Sequence, residues 1–176
     1  MHPLIQEAIR ITEDLGDVVF VGAVGMFLQT KATRESQDLD FTVARELPDE
    51  LLDGKRYFVR KVKGKEARYT PRGYKIDIYT RDVSGIPKDR VVATAKDVKV
   101  RKGVTVKAAS VEVLVVSKFR AAAKRRGTDD VDIRTLAQRK YKEIDWEDLK
   151  SMTESEIEFQ RIRDQMDALY RKRLEF

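Results

Sequence analysis

The chain has no cysteine and only one histidine, one tryptophan and four prolines among its 176 residues. Without thiols there is no disulfide, no thiolate nucleophile and no cysteine-built zinc site. The single imidazole, His2, stands at the chain terminus, where fraying is expected, so a Ser-His-Asp triad or a histidine-rich metal site has nothing to be made from. Long apolar runs are missing too. No window approaches the roughly 18 consecutive apolar residues of a membrane span, and the first residues lack the basic-then-apolar order of a secretion signal. The expectation is a soluble cytoplasmic protein without a membrane partner. Its length suits one medium domain, or one domain with a small helical appendage, able to bury a substantial core.

What is abundant is charge, at 38% of residues, with a net of +6. The sign is unevenly placed: residues 1–53 carry 4 basic and 11 acidic groups, residues 54–126 carry 22 and 6, and residues 127–176 carry 10 and 13. A basic middle block of this size favours phosphate-rich partners. A lysine-rich solvated surface of the kind seen in heat-adapted proteins would give the same count.

Apolar spacing divides the chain into elements. Leu4, Ile5, Ala8, Ile9 and Leu15 predict an amphipathic helix closed near Gly16, and DVVFVG predicts a buried strand ending in glycine. VGMFLQTKA reads as a short helix, Asp38 to Ala44 as a second strand, and Pro48-Asp49 as the start of a brief helix or turn. Arg56 to Lys63, Ala67 to Thr70 and Tyr74 to Thr80 alternate polar with apolar residues and predict a meander turned at Gly64 and Pro71-Arg72-Gly73. Two strands between Val98 and Ala108 are expected to pair across Lys102-Gly103. Ser110 is placed to cap a helix reaching about Arg126, with Val111, Leu114, Val115, Lys118, Ala121 and Ala122 on one stripe. Thr128 opens another to about Gln138, and the TESE run at Thr153 to Glu156 resembles a capping box before a long charged helix toward Arg173.

The chemistry is carried by RESQDLDFTV. In a strand, residues i and i+2 share a face, so Asp38 and Asp40 project together while Leu39 and Phe41 point the other way. Two carboxylates on one sheet face repel and pay desolvation unless a cation lies between them, and a hard divalent ion is a natural occupant. Asp77, set between Ile76 and Ile78 in YKIDIYT, supplies a third acid among core formers. The plainer alternatives are a solvent-facing edge, or an acid pair satisfied by Arg34 or a nearby lysine. Upstream, Gly22 permits a sharp turn from strand into helix and close approach of a ligand, and the helix N-terminus offers unpaired amides to a polyphosphate. Gly25 serves either backbone freedom or packing.

The run VFVGAVGMFLQTKATRESQDLDFTV, with KIDIYT downstream, resembles the nucleotidyltransferase superfamily of DNA polymerase β and the minimal nucleotidyltransferases. VEVLVVSKFRAAAKRRGTDDVDIRTLAQ is similar to the helical motif of the AbiEii-like branch, with Lys118, Arg125, Asp129 and Asp132 at the matching positions. The resemblance spans about Val18 to Leu136. It implies an α+β fold, a mixed β-sheet flanked by helices, with a nucleotidyltransferase-like catalytic α/β core at 1–108 and a helical region at 109–176 packed on it. It also implies Mg²⁺- or Mn²⁺-dependent transfer from an NTP to a hydroxyl of RNA, a tRNA end or a protein, and membership of a toxin–antitoxin pair with a cognate protein partner. Asp38, Asp40 and Asp77 would be both catalytic and metal-binding, and Gly22, Ala23, Arg34, Ser36, Lys118 and Arg125 would hold the nucleotide phosphates, with Arg126 in reserve.

Two positions depart from the pattern. Ala23 stands where a Gly or Ser is usual, leaving only backbone contacts to a phosphate, and Thr128 stands where a basic residue is common. A catalytically silent module of the same fold, binding nucleotide, RNA or a protein, is therefore the alternative. For individual residues the structural alternatives are an Arg34 paired with Glu35 or Asp38, a Lys118 snorkelling to solvent, and Asp129 and Asp132 complementing a helix dipole. Arg56, Arg60, Lys61, Lys63, Lys65, Arg68, Arg72 and Lys75, interleaved with Tyr57, Phe58, Tyr69 and Tyr74, form either a basic stacking face for RNA or the wet side of a meander with its aromatics in the core.

Overall fold

The computed structural model describes residues 1–124 and 128–174. In chain order the elements are α1 (Pro3–Leu15), β1 (Val18–Phe20), α2 (Gly22–Thr30), β2 (Asp38–Val43), α3 (Asp49–Gly54), β3 (Phe58–Val62), β4 (Lys65–Tyr69) and β5 (Lys75–Tyr79). A small hairpin, β6 (Asp82–Val83) and β7 (Ile86–Pro87), follows, then α4 (Lys88–Ala93), β8 (Lys96–Arg101) and β9 (Val104–Ala108). The remainder is helical: α5 (Val111–Lys124), α6 (Thr128–Lys140), a 3-10 turn at Tyr141–Glu143, α7 (Trp146–Met152) and α8 (Glu156–Leu174). Among the described residues no helix is long and apolar enough to cross a membrane.

Seven strands form one mixed sheet in the order β3-β4-β5-β2-β1-β9-β8. β2 runs antiparallel to β1 and parallel to β5, while β1 runs parallel to β9. The expected α+β class and mixed sheet are what is found. Leu39, Phe41, Val43 and Ile76 are all buried on one face, together with Leu4, Ile5, Ala8 and Ile9 of α1. Fully burying each such side chain contributes about 1.5–3 kcal/mol. The 3.6-residue spacing of α1 thus meets the two-residue spacing of the strands. His2, rather than fraying, caps α1 by accepting a hydrogen bond from Leu4 N–H at Nδ1 (3.2 Å).

Of the supposed basic and aromatic face, Tyr57 belongs to this core instead, and the exposed Arg72 is tied to it through Glu7. Tyr57 is 1% exposed and donates its hydroxyl to Asp14 (2.8 Å). Arg72, at the turn before β5, donates from Nε to both oxygens of the buried Glu7 at 2.9 and 2.7 Å, tying that turn to α1. Tyr74 also packs against the core, and Arg68 pairs with Asp49 and Asp53.

The other apolar cluster is centred on α5. Instead of the single stripe expected, nine consecutive residues from Val111 to Phe119 are buried, so the first two turns are enclosed all round. Ser110 caps this helix as expected, its Oγ accepting from Val113 N–H (3.2 Å). Gly25 is a packing glycine: a Cβ there would stand 2.8 Å from the Phe20 carbonyl oxygen and 3.3 Å from Leu114. The capping box of α8 lies two residues later than TESE suggests. Ser155 Oγ accepts from Glu158 N–H, and Glu158 reaches back to Glu154 N–H, both at 3.1 Å.

Candidate active site

The parallel register of β2 and β5 sets Asp40 opposite Asp77 and Asp38 opposite Lys75. The three carboxylates therefore lie on one face of two adjacent strands, as alternation predicts. The carboxyl of Asp40 hydrogen-bonds to that of Asp77, and its pKa is pushed up to about 7, first by burial and then by the charges of Asp77 and Asp38, against an opposing pull from Lys118. A carboxyl raised toward neutrality by burial and by two acidic neighbours marks a candidate functional cluster.

Part of the acidic excess is met by Lys75, which the sequence placed only among the basic residues of the meander. Lys75 Nζ stands 3.9 Å from Asp38 and 3.7 Å from Asp77, with all three side chains between 38% and 47% exposed. The alternation that pairs Asp38 with Asp40 also pairs Lys75 with Asp77, and applied to YKIDIYT it reveals this ammonium. Among the described residues no group of three acids is arranged to close on a metal ion as the side chains lie. The donor set still fits a hard divalent cation. It is all carboxylate oxygen on one face of adjacent strands, and the two lysine contacts are long, half-solvated and weak.

Gly22 abuts this cluster. Its φ is +57°, and a Cβ there would lie 2.4 Å from Asp40 Oδ2, so only glycine admits the carboxylate. Gly22 also opens α2, whose own hydrogen-bond ladder has no acceptor for the amides of Gly22, Ala23 and Val24. Val21, Gly22, Asp40, Tyr79, Ser117 and Lys118 line one cleft. Gly22→Ala is expected to cost about 1–3 kcal/mol through the left-handed backbone and the clash, and to displace Asp40. A thermal melt matching the wild type would contradict that close approach.

The other expected phosphate ligands are placed less directly. The Ala23 side chain is buried near His2, Phe27 and Arg34 and not in the cleft, so its amide is what it can offer. Ser36 is engaged with the backbone of Asp38, accepting from its N–H (3.4 Å) and donating to its carbonyl (3.3 Å) just before β2 begins. Lys118 does not snorkel. It is 7% exposed, and its Nζ lies 2.8 Å from Asp132 Oδ2 and 3.4 Å from Asp129 Oδ1. Arg34 pairs with neither Glu35's carboxylate nor Asp38; its Nε lies 3.1 Å from Asp132 Oδ1. Asp132 bridges the two cations at ion-pair distance, with Arg34 Nε and Asp132 Oδ2 lacking hydrogen-bond alignment. Asp129 and Asp132 are thus buried counter-ions, not merely dipole-complementing surface acids; their signal in the sequence was a pair of acids three apart facing Lys118 on the preceding helix. Arg125 and Arg126 lie outside the described residues.

No protein-family model and no curated protein sequence matches the chain. Solved structures do. An antigenic nucleotidyltransferase-like protein from Paracoccidioides brasiliensis shares 16% identity at a TM-score of 0.59, covering 98% of this chain and 88% of its own. ANT(2″)-Ia, solved in complex with adenylyl-2″-tobramycin, shares 13% at 0.55, covering 92% and 96%. JHP933 from Helicobacter pylori shares 14% at 0.55, covering 99% and 92%. With a mixed sheet, a helical C-terminal part and near-complete coverage in both directions, the chain has the fold of the nucleotidyltransferase-like proteins.

Proposed function

We propose that the chain transfers a nucleotidyl group from an NTP to a hydroxyl acceptor, with Asp38, Asp40 and Asp77 holding Mg²⁺ or Mn²⁺. The observation that carries this is the abutment of Gly22, at the open N-terminus of α2, on a carboxylate cluster that keeps a proton near pH 7. ANT(2″)-Ia, which has this fold, was solved in complex with adenylyl-2″-tobramycin, and this supports nucleotide binding in the same cleft.

In the reaction the acceptor oxygen bonds to the α-phosphorus, the bond to the bridging oxygen breaks, and pyrophosphate leaves. A divalent ion held by the three aspartates would neutralise charge on the phosphoryl and leaving oxygens. The amides of Gly22 and Ala23 bind the triphosphate at the helix N-terminus. Lys118 faces the same cleft and exchanges part of its contact with Asp129 and Asp132 for the departing pyrophosphate, while Arg34 draws on the same aspartate from the far side. Asp77, half exposed at the edge of the cluster, accepts the hydroxyl proton or completes the metal site.

One observation favours a second reading, a catalytically silent nucleotide-binding module: the Lys75 ammonium can act as a permanent substitute for the ion. Titration with Mn²⁺ in the presence of a non-hydrolysable NTP separates the two. On the transferase reading the wild type binds Mn²⁺, and Lys75→Met binds it roughly 5- to 30-fold more tightly, because about 1–2 kcal/mol of like-charge repulsion is removed. Absence of Mn²⁺ binding in both proteins would leave the silent module standing.

A further inference from the structure

The carboxylate-bearing face of the sheet continues beyond β5. Tyr69 on β4 stands opposite Lys75, and Phe58 on β3 stands opposite Tyr69. Directly paired residues share a face, so both rings lie on the side of Asp38, Asp40 and Asp77. Their centroids are 5.5 Å apart and their planes 12° from parallel, and the Arg60 guanidinium lies 5.1 Å from the Phe58 centroid. Both rings remain partly exposed, unlike Tyr57 on the same chain segment. With strands roughly 4.8 Å apart, the pair begins one strand away from the column of Lys75 and Asp77, about the reach of one nucleotide.

Charge agrees with stacking. Residues 58–69 hold five basic groups and one acidic, and alternation puts Arg60 and Lys65 on the aromatic side. Lysines alone would be explained by the need to blunt an edge strand. That need does not call for two parallel, part-exposed rings beside the reacting carboxylates. A polycationic acceptor would meet like charge here, and a duplex would keep its bases from the rings.

We infer that this hairpin face is the acceptor platform, and that it takes the end of a single-stranded nucleic acid: a base stacks on Phe58 and Tyr69, Arg60 and Lys65 meet its phosphates, and the terminal ribose hydroxyl reaches Asp77. The inference rests on the transferase reading for its consequence, but its test does not. A fluorescein-labelled single-stranded RNA decamer is titrated by anisotropy against the full chain, with binding of a fluorescent ATP analogue and Mn²⁺ measured separately. The wild type is expected to bind the decamer, and a duplex of the same length at least tenfold more weakly. Tyr69→Ala is expected to weaken decamer binding roughly 5- to 100-fold, the loss of one stacked base, while Tyr69→Phe restores it. Arg60→Ala, a change at an exposed side chain that leaves the fold alone, is expected to lower the salt slope by about one phosphate contact. Nucleotide binding stays unchanged in all three.

Decamer binding that is absent in the wild type, unaltered in both Tyr69→Ala and Arg60→Ala, or equalled by the duplex overturns the platform even if the ATP analogue still binds. Loss of ATP-analogue binding in the wild type, with decamer binding intact, overturns the transferase reading and leaves the platform. Should Tyr69→Ala fail to fold, Arg60→Ala decides alone.

Discussion

Asp40→Asn is expected to abolish nucleotidyl transfer and, above neutral pH, to make the protein more heat-stable. The loss of transfer follows from position: Asp40 lies at the centre of the carboxylate cluster, hydrogen-bonded to Asp77 and in contact with the Gly22 backbone. If Asp40 holds the ion as proposed, removing its charge should cost at least about 10³-fold in rate, or about 4 kcal/mol of transition-state stabilisation. The gain in stability follows from ionisation. Unfolded, this carboxyl titrates near 3.8; folded, burial and its acidic neighbours raise it to about 7. Between those values the native state holds a proton that the unfolded chain has released, so stability falls as pH rises from about 4 to about 7 and then levels off. Asparagine cannot ionise and escapes this decline.

About 2 kcal/mol is a suitable scale, or roughly 4–8 °C in melting temperature at pH 8, with the gap closing toward pH 4. Saturating Mg²⁺ should narrow the difference from the other side, since a bound ion stabilises only the wild type. Melting curves at pH 5 and pH 8, with and without Mg²⁺, check each step. A pH-independent difference would remove the account from burial and acidic neighbours, and labelled-nucleotide transfer by Asp40→Asn would remove its catalytic role.

Asp132→Ala is expected to destabilise the fold by about 3–5 kcal/mol, or roughly 6–20 °C in melting temperature. The carboxylate is 5% exposed and serves two cations, Lys118 at 2.8 Å and Arg34 at 3.1 Å. Deleting it leaves the Arg34 guanidinium short of its buried partner and leaves Lys118 with the longer contact to Asp129 at 3.4 Å. Inorganic triphosphate separates a purely structural network from one poised for phosphate. If Lys118 and Arg34 exchange carboxylate for phosphate, triphosphate should raise the melting temperature of Asp132→Ala by more than that of the wild type, because the variant has unmatched positive charge to give. Equal shifts would confine the network to holding α6 against α5.

The sequence disclosed the elements whose periodicity is strong. α1, β2, the β3–β4–β5 meander and the Ser110 cap stand where spacing put them, because two-residue and 3.6-residue patterns are local properties. The β6–β7 hairpin, α4 and α7 went unread. They are two to seven residues long, too short to display a period, and they are held by what they pack on: Val83, Ile86, Val91 and Leu149 all enter the cluster around α5. At the site, Asp38, Asp40, Asp77 and Gly22 were legible because acids among core formers and a glycine after a strand are anomalies. Lys75 was hidden by appearing ordinary in a basic segment, and the Arg34–Asp132–Lys118 bridge joins residues nearly a hundred positions apart, a distance no local pattern spans.

The placement of β1 has a consequence for how the molecule is made. Phe20 pairs on one side with Phe41 and on the other with Ala108, so one flank of this wholly apolar strand waits for a segment that leaves the ribosome about 85 residues later. At roughly 5–20 residues per second, that is on the order of 4–17 s during which Val18, Val19 and Phe20 present open hydrogen-bonding groups to any passing strand. The nascent chain is at its most vulnerable in that interval, and slowing translation between Ala44 and Val104 is expected to lower the yield of native protein where faster synthesis would not.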